Sequence, residues 1–384
     1  MKQYRFGRKL LAPVAGILAL YLGSPPLLAQ MDYRQQNLVS DIPGMAQHTD
    51  ANLVNPWGIA SSPTSPLWVA DNGTGVATVY NSHGTALPLV VTVPSPSGGT
   101  SAPTGQVFNG TANFNGDRFL FSSEDGTITG WRGSLGTTAE TLSDMSGAGA
   151  VYKGLALATI GTNTYLYATD FANNRVDVLP GTGAPALTGT FSDPTLPANY
   201  SPFNIQTIGT SLYVTFAQTQ QGSDDEAHGA GFGYVDKFDL NGNFQMRVAS
   251  QGVLNAPWGL TIAPASFGKF GGDLLVGNFG DGMINVFDPT SGDLLGQLKD
   301  SQGNPLVISG LWGLRFGNGG NGGAANALFF TAGIADEGHG LFGRITPVPE
   351  PATTGAIGAI GLLAFCAAVR ARRRKAIVDP IATA

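Results

Sequence analysis

Apolar residues in the body of this chain come in short runs, broken at close intervals by Gly, Pro, Asn and Asp. The runs alternate apolar and polar residues, as half-buried strands do, and none keeps a helical period. One unit recurs. It opens with a short strand after a Pro or Gly turn: NPWGIA (55–60), APTGQVF (102–108), YKGLALA (152–158), SPFNIQTI (201–208), APWGLTIAP (256–264) and GLWGLRF (310–316). The anchors Gly58, Gly105, Gly154, Phe203, Gly259 and Gly313 lie 47, 49, 49, 56 and 54 residues apart. A second strand follows each opening, as in PLWVAD, TYLYATD and DLLVGN, and then a turn rich in Asp, Asn and Gly. A third strand comes next, as in VATVYN, RVDVLP and INVFDP. A fourth closes the first five units, as in LPLVVTV, LTGTFSD and LLGQLKD.

Repeats of this length, with strands and tight turns only, predict an all-β fold, a six-bladed β-propeller spanning residues 30–346. The sixth unit ends at Thr346 without a fourth strand. QNLVSDIPG (36–44) has the fourth-strand pattern, so residues 35–41 are expected to pair onto the last blade and close the ring.

The two ends read differently. Lys2, Arg5, Arg8 and Lys9 precede an apolar run, LLAPVAGILALYL, and Ala29 closes a segment 1–29 that reads as a secretory signal. Residues 352–369 carry no charge and as a helix would extend about 27 Å, near the thickness of a bilayer core. Arg370, Arg372, Arg373, Arg374 and Lys375 follow and should stay cytoplasmic, with 376–384 as a short tail on that side. Val348-Pro349-Glu350-Pro351, an apolar helix and a terminal Arg cluster together resemble the PEP-CTERM sorting signal, over residues 347–375. That resemblance implies processing by an exosortase-type membrane protease. It also implies a place at the cell surface or in the medium, after anchoring in membrane lipid.

Charge sharpens the picture of the body. Residues 30–350 hold 25 acidic and 11 basic residues, a net of −14, which repels nucleic acid. The single cysteine, Cys366, lies in the C-terminal apolar segment, so the body has neither a disulfide nor a thiolate metal site.

In a propeller, the loops before first strands and between second and third strands share one face. Here those loops carry Asn55, Asp71, Asn72, Glu124, Asp125, Asp170, Asn174, Asn255, Asn278, Asp281, Asp336 and Glu337. A ring of such oxygens suits Ca²⁺, with Asp71, Asp170, Asn255 and Asn278 as the candidates, although Asp and Asn also make tight turns by bonding locally. His228 and His339 sit in a local echo, DEAHG and DEGHG, with Asp225, Glu226, Asp336 and Glu337 beside them. The echo offers one shared site, or else simple repeat homology. Trp57, Trp258 and Trp312 each precede an anchor glycine, placed either at the channel mouth or between blades. No nucleophile motif, phosphate loop or dinucleotide fingerprint is present.

APWGLTIAP followed by DLLVGNFGDGMINVFDPTSG resembles NHL-type and gluconolactonase-like propellers, and the whole chain resembles a family of exported bacterial propellers with this tail. The resemblance implies architecture and assigns no reaction. Together these features lead to the expectation of a surface-displayed or secreted binding or scaffold propeller of the envelope or exopolysaccharide matrix. Its partners would be exopolysaccharide or surface proteins, and it would need no cofactor. The alternative is a divalent-metal-dependent hydrolase or lactonase acting at the channel mouth.

Overall fold

Residues 32–348 are described in the computed structural model of the chain, and form one compact unit. The expected signal, the Pro349–Pro351 part of the sorting motif, the apolar helix and the Arg370–Lys375 cluster lie outside them. Among the described residues, no helix is long and apolar enough to cross a membrane.

Six sheets form six blades of a propeller, each an antiparallel meander. Blade one comprises Pro56–Ala60, Leu67–Asp71, Val76–Tyr80 and Ala86–Thr92. Blade six comprises Leu311–Phe316, Leu328–Ile334 and His339–Pro347 from the end of the body, completed by Tyr33–Ser40 from its beginning. Tyr33 pairs with Pro347 and Ser40 with Leu341, antiparallel, so the expected closure holds. The short strand His48–Thr49 then adds parallel to Tyr33–Ser40 at the rim.

Blade three departs from expectation. Its sheet has three strands, and the segment LTGTFSD (187–193) is not a strand. Its backbone turns outward instead: Gly189 and Phe191 donate to the carbonyls of Asn241 and Gly242 in blade four. Phe191 supplies the reason. It adopts a left-handed backbone, φ 52°, that drops its ring between Tyr167 and Phe238. Burying one aromatic ring there competes successfully with a few exposed ladder bonds.

Packing follows the ring. Six apolar clusters each join one blade to the next, for example Trp68, Val91 and Phe119 between blades one and two. Another, Leu38, Tyr80, Phe329 and Phe342, seals the closure between blades six and one. A seventh cluster lies on the axis: Trp57, Phe171, Phe203, Trp258, Phe279 and Trp312 fill the channel. Trp57 stacks on Trp312 at 3.6 Å between centroids, and Phe279 stacks on its other side at 3.9 Å. The tryptophans therefore plug the axis rather than fill the space between blades.

The plug requires close inner strands. A Cβ on Gly58 would lie 2.6 Å from the Thr104 carbonyl, and one on Gly259 would lie 2.7 Å from that of Trp312. Gly105, Gly154 and Gly313 meet the next blade in the same way. In blade four the matching residue is Asn204, one place beyond the expected anchor Phe203. Asn204 Nδ2 donates to the Trp258 carbonyl at 2.6 Å, so its side chain spans the gap that glycine leaves elsewhere.

Two outcomes test this account. Gly259→Ala is expected to cost roughly 1–3 kcal/mol by urea unfolding, as overpacking does. Gly133→Ala, which meets open space, should stay within about 0.5 kcal/mol. Removing Tyr33–Ser40 leaves the His339–Pro347 edge open, and should give an aggregating chain with no cooperative melt. A monomer melting like the parent in calorimetry would refute the closure.

Candidate functional site

The inner-strand residue before each anchor points into the axis. It is Trp57, Thr104, Lys153, Phe203, Trp258 and Trp312 in blades one to six. Only Lys153 is charged. Its side chain is 2% exposed, and its Nζ lies 5.2 Å from the centre of the Trp57 ring. A buried ammonium must be paired. Glu124 Oε1 lies 2.6 Å from Nζ and Asp225 Oδ1 3.5 Å from it.

Glu124 is itself held. Asn72 Nδ2 donates to its Oε2 at 2.9 Å, and Asn55 Nδ2 donates to Asn72 Oδ1 at 3.2 Å. Asn55 Nδ2 also reaches Glu337 Oε2 at 3.3 Å, while Asn55 Oδ1 accepts from Trp312 Nε1 at 3.0 Å. A polar network therefore runs over the plug across blades six, one, two and three, ending on Lys153.

Above it opens a cavity of about 250 Å³, floored by Trp57 and Phe279 and walled by Asp225, Glu226, His228 and Glu337. That is room for roughly eight water molecules. Both acidic echo turns converge here, so the carboxylates of DEAHG and DEGHG do share a site. The two imidazoles do not. His228 packs on the Phe279 ring, 5.1 Å between centroids. His339 begins the third strand of blade six, and its Nδ1 lies 2.6 Å from Asp41 Oδ2, on the closing segment. The backbone around Glu337 is strained: Ala335, Asp336 and Glu337 all have positive φ, 54°, 51° and 64°.

Electrostatics follow from burial. Burial raises the Glu226 carboxyl to about 7, against the opposing pull of Lys153. Burial also raises Glu337 to about 7, with the charges of Glu226 and Glu124 adding to the effect. Burial alone would lower Lys153, but Glu124, Glu226 and Asp225 outweigh it and hold the ammonium protonated. Near neutral pH the mouth thus holds one fixed cation and carboxyl groups that both donate and accept.

The four residues considered for Ca²⁺ are engaged at separate places, and Asp71 Oδ1 and Asn278 Oδ1 are buried without a hydrogen-bond partner. Asp71 Oδ2 accepts from Thr78 at 2.7 Å, and Asp170 from the Val151 and Asn173 amides and from Arg175. Asn278 Nδ2 donates to the Val253 carbonyl, and Asn255 Oδ1 accepts from the Gly229 amide. Among the described residues, no three His, Cys, Asp or Glu side chains are arranged to hold one metal ion. Lys153 escaped the sequence reading although its signal was present: in the aligned openings it is the only charged residue at a place where four blades carry an aromatic ring.

Comparison with known proteins places these features in context. The PEP-CTERM protein-sorting motif matches residues 347–374. The chain is 36% identical over 352 residues to "Uncharacterized protein R648" of Acanthamoeba polyphaga mimivirus, covering 86% of this chain and 84% of that one. It is 35% identical to "Uncharacterized protein L690" of the same virus, covering 75% and 80%. The virginiamycin B lyase of Staphylococcus aureus, with quinupristin, superposes with a TM-score of 0.50 at 15% identity, over 83% of this chain and all of that one. A glucose dehydrogenase superposes at 0.51 with 12% identity, over 83% and 100%. At such identities these two structures establish the propeller fold alone. The viral identity extends far beyond the sorting motif, so the propeller carries it.

The shifted carboxyls predict a pH dependence. A carboxyl whose folded pKa is raised stabilises the fold below its ordinary value, about 4.5, and loses that contribution as pH rises through 7. Stability should therefore fall between about pH 4.5 and 7. Asp236, raised to about 7 because burial outweighs the pull of Arg247, contributes to the same decline. The double substitution Glu226→Gln, Glu337→Gln should flatten the decline in urea midpoints across this window. An unchanged slope would refute the shifts.

Proposed function

We propose, from the premise that the chain belongs to the family of the mimivirus proteins R648 and L690, that it is an exported binding propeller of the cell envelope. Export and sorting follow from the PEP-CTERM motif at residues 347–374. In our reading the propeller stands outside the cytoplasm, first anchored through its C-terminal segment and then released or displayed by an exosortase-type protease. Its ligand there is a sugar residue of the exopolysaccharide matrix or of a surface glycan.

The observation that carries this reading is the caged Lys153 under a cluster of carboxyls on an aromatic floor. Rings such as Trp57 and Phe279 offer apolar faces, and the surrounding carboxyls and amides suit hydroxyl groups. The mouth has one ammonium against Glu124, Asp225, Glu226, Asp336 and Glu337. That excess favours a neutral or cationic sugar over an acidic one. The cavity, about 250 Å³, suits a single small ring rather than a drug-sized molecule.

One observation favours a second reading. Glu226 and Glu337 both sit near 7, the value that suits a general acid or base at neutral pH. A hydrolase or lactonase at this mouth would use one of them.

Titration calorimetry of the full-length protein in mild detergent separates the readings. Glucosamine and glucose are expected to bind, glucosamine more tightly, and Asp225→Asn should weaken glucosamine by about tenfold or more. No binding of either sugar at millimolar concentration would sink the binding reading. Hydrolysis of a lactone or glycoside lost in Glu226→Gln or Glu337→Gln would favour the enzyme.

A further inference from the structure

The inner strands also end at the opposite mouth of the axis, and a larger cavity lies there, about 410 Å³. Ile59, Pro63 and Phe108 line it with apolar surface, and Gln106, Gln206 and Arg315 with polar groups. A narrow cleft continues inward beside Gly58, Gly105 and Gly313, between Gln106 and Gln206, toward the underside of the plug.

Two groups in this cavity have unmet demands. Arg315, near the end of the blade-six inner strand, donates from Nε to Ser61 Oγ and from Nη2 to the Ser61 carbonyl, both at 3.0 Å. Those are neutral acceptors. No carboxylate lies near enough to shift it, and burial alone draws its guanidinium below the usual value. Gln106 is 6% exposed, and neither its Oε1 nor its Nε2 has a hydrogen-bond partner. A buried polar group left unpaired is costly, as Gln106 is here, and Arg315, half-buried at the same cavity, has no carboxylate partner. By contrast, Asn318 at the same rim is fully engaged, donating to the Ser62 and Ser65 carbonyls and accepting from the Gly320 and Gly322 amides. The polar groups of this mouth are therefore not all structural.

We propose that this second mouth is a binding site for a small hydroxylated carboxylate, held by the free edge of the Arg315 guanidinium and by the Gln106 amide. A guanidinium matches a carboxylate in shape and charge. An adjacent hydroxyl both donates and accepts, which is what the Gln106 amide offers in return. The apolar surface accommodates the C–H face of such a molecule. A uronic acid residue of an acidic polysaccharide and a free small hydroxy acid share this chemistry. The two mouths of one axis then select opposite charges: cationic or neutral ligands over Lys153 and its carboxyls, acidic ligands at Arg315. The second site stands independently of the first, since no residue lines both cavities.

The test is titration calorimetry of the full-length protein with glucuronate, lactate, glucose and inorganic phosphate. Glucuronate is expected to bind, and Arg315→Gln to weaken it by at least about tenfold, the loss of a charge-assisted pair. Lactate binding as tightly as glucuronate would support the site with a free hydroxy acid as its source; weaker lactate binding would support the uronate. Arg315→Lys should recover only part of the affinity, because an ammonium lacks the planar fork. Gln106→Leu is the discriminating variant. It should weaken glucuronate while leaving the melting temperature equal or higher, since it removes an unsatisfied amide from the core. A purely structural Gln106 would lower the melting temperature and leave binding alone. Phosphate binding as tightly as glucuronate, or parental glucuronate affinity in both Arg315→Gln and Gln106→Leu, would overturn the proposal. Asp225→Asn should leave glucuronate binding unchanged, so failure here is distinct from failure at the Lys153 mouth.

Discussion

Everything in this molecule depends on how closely six inner strands approach the axis. Side chains at their anchor positions would collide with the neighbouring backbone, so five blades carry glycine there. Blade four instead carries Asn204, whose amide bonds to the next blade's Trp258 carbonyl. Hydroxyls do the same at other seams: Thr104 Oγ1 donates to the Tyr152 carbonyl, and Thr169 Oγ1 to that of Phe203. Narrowness has a consequence. A ring this tight leaves only a narrow cleft below the plug, and three tryptophans with three phenylalanines fill the rest of the axis. These apolar rings bury area across five of the six blades at once, which adds to blade-to-blade packing.

A plugged axis divides the possible chemistry in two. The axis opens to solvent at its two ends, and these differ because the strands run from one to the other. At the end where inner strands begin, turn residues rich in Asp, Asn and Glu crowd together, and Lys153 rises through the plug to neutralise part of their charge. At the end where they finish, Gln106, Gln206 and Arg315 project from strand ends with few acidic neighbours. The polarity of the site follows from strand direction and from which loop type carries the acidic residues.

Most of the fold was legible in the sequence, because propeller repeats announce themselves. The Gly-anchored openings, the strand spacing and the orphaned fourth-strand pattern at residues 35–41 led directly to six blades and their closure, observed over Tyr33–Ser40. What failed were local decisions governed by tertiary context. LTGTFSD alternates like a strand, yet Phe191 finds a better place between Tyr167 and Phe238. Phe203 occupies the anchor place in the sequence spacing, while the register puts Asn204 there, since a polar side chain can stand in for glycine only where it finds a carbonyl. For the Asp and Asn residues of the turns, the sequence leaves both readings open, because turn chemistry and oxygen ligation use the same side chains. The structure ties several of them to neighbouring strands and loops and draws four, Asn55, Asn72, Glu124 and Glu337, into one network.

The case of Lys153 shows why a site can be present in a sequence and still unread. Alone, a lysine in YKGLALA is an ordinary strand residue, and its burial is visible only once the openings are superposed. Superposition makes it anomalous, because the same place holds Trp in three blades and Phe in another. A charge there is tolerable only with partners, and those partners come from elsewhere: Glu124 from blade two, Asp225 from blade four. Neither is near Lys153 in sequence, and each sits in a turn with its own local reason to be acidic. A ring of aromatic residues packs well without a lysine. Replacing a buried ion pair with apolar groups of similar size is often neutral or stabilising, so stability alone does not explain why this blade keeps an ammonium. The cavity above it does. The same reasoning applies to Gln106, whose unpaired amide weakens the fold where an apolar residue would serve it, and which also borders a cavity. In a body held together by the approach of its inner strands, the residues that work against that packing stand beside the two cavities at the ends of the axis.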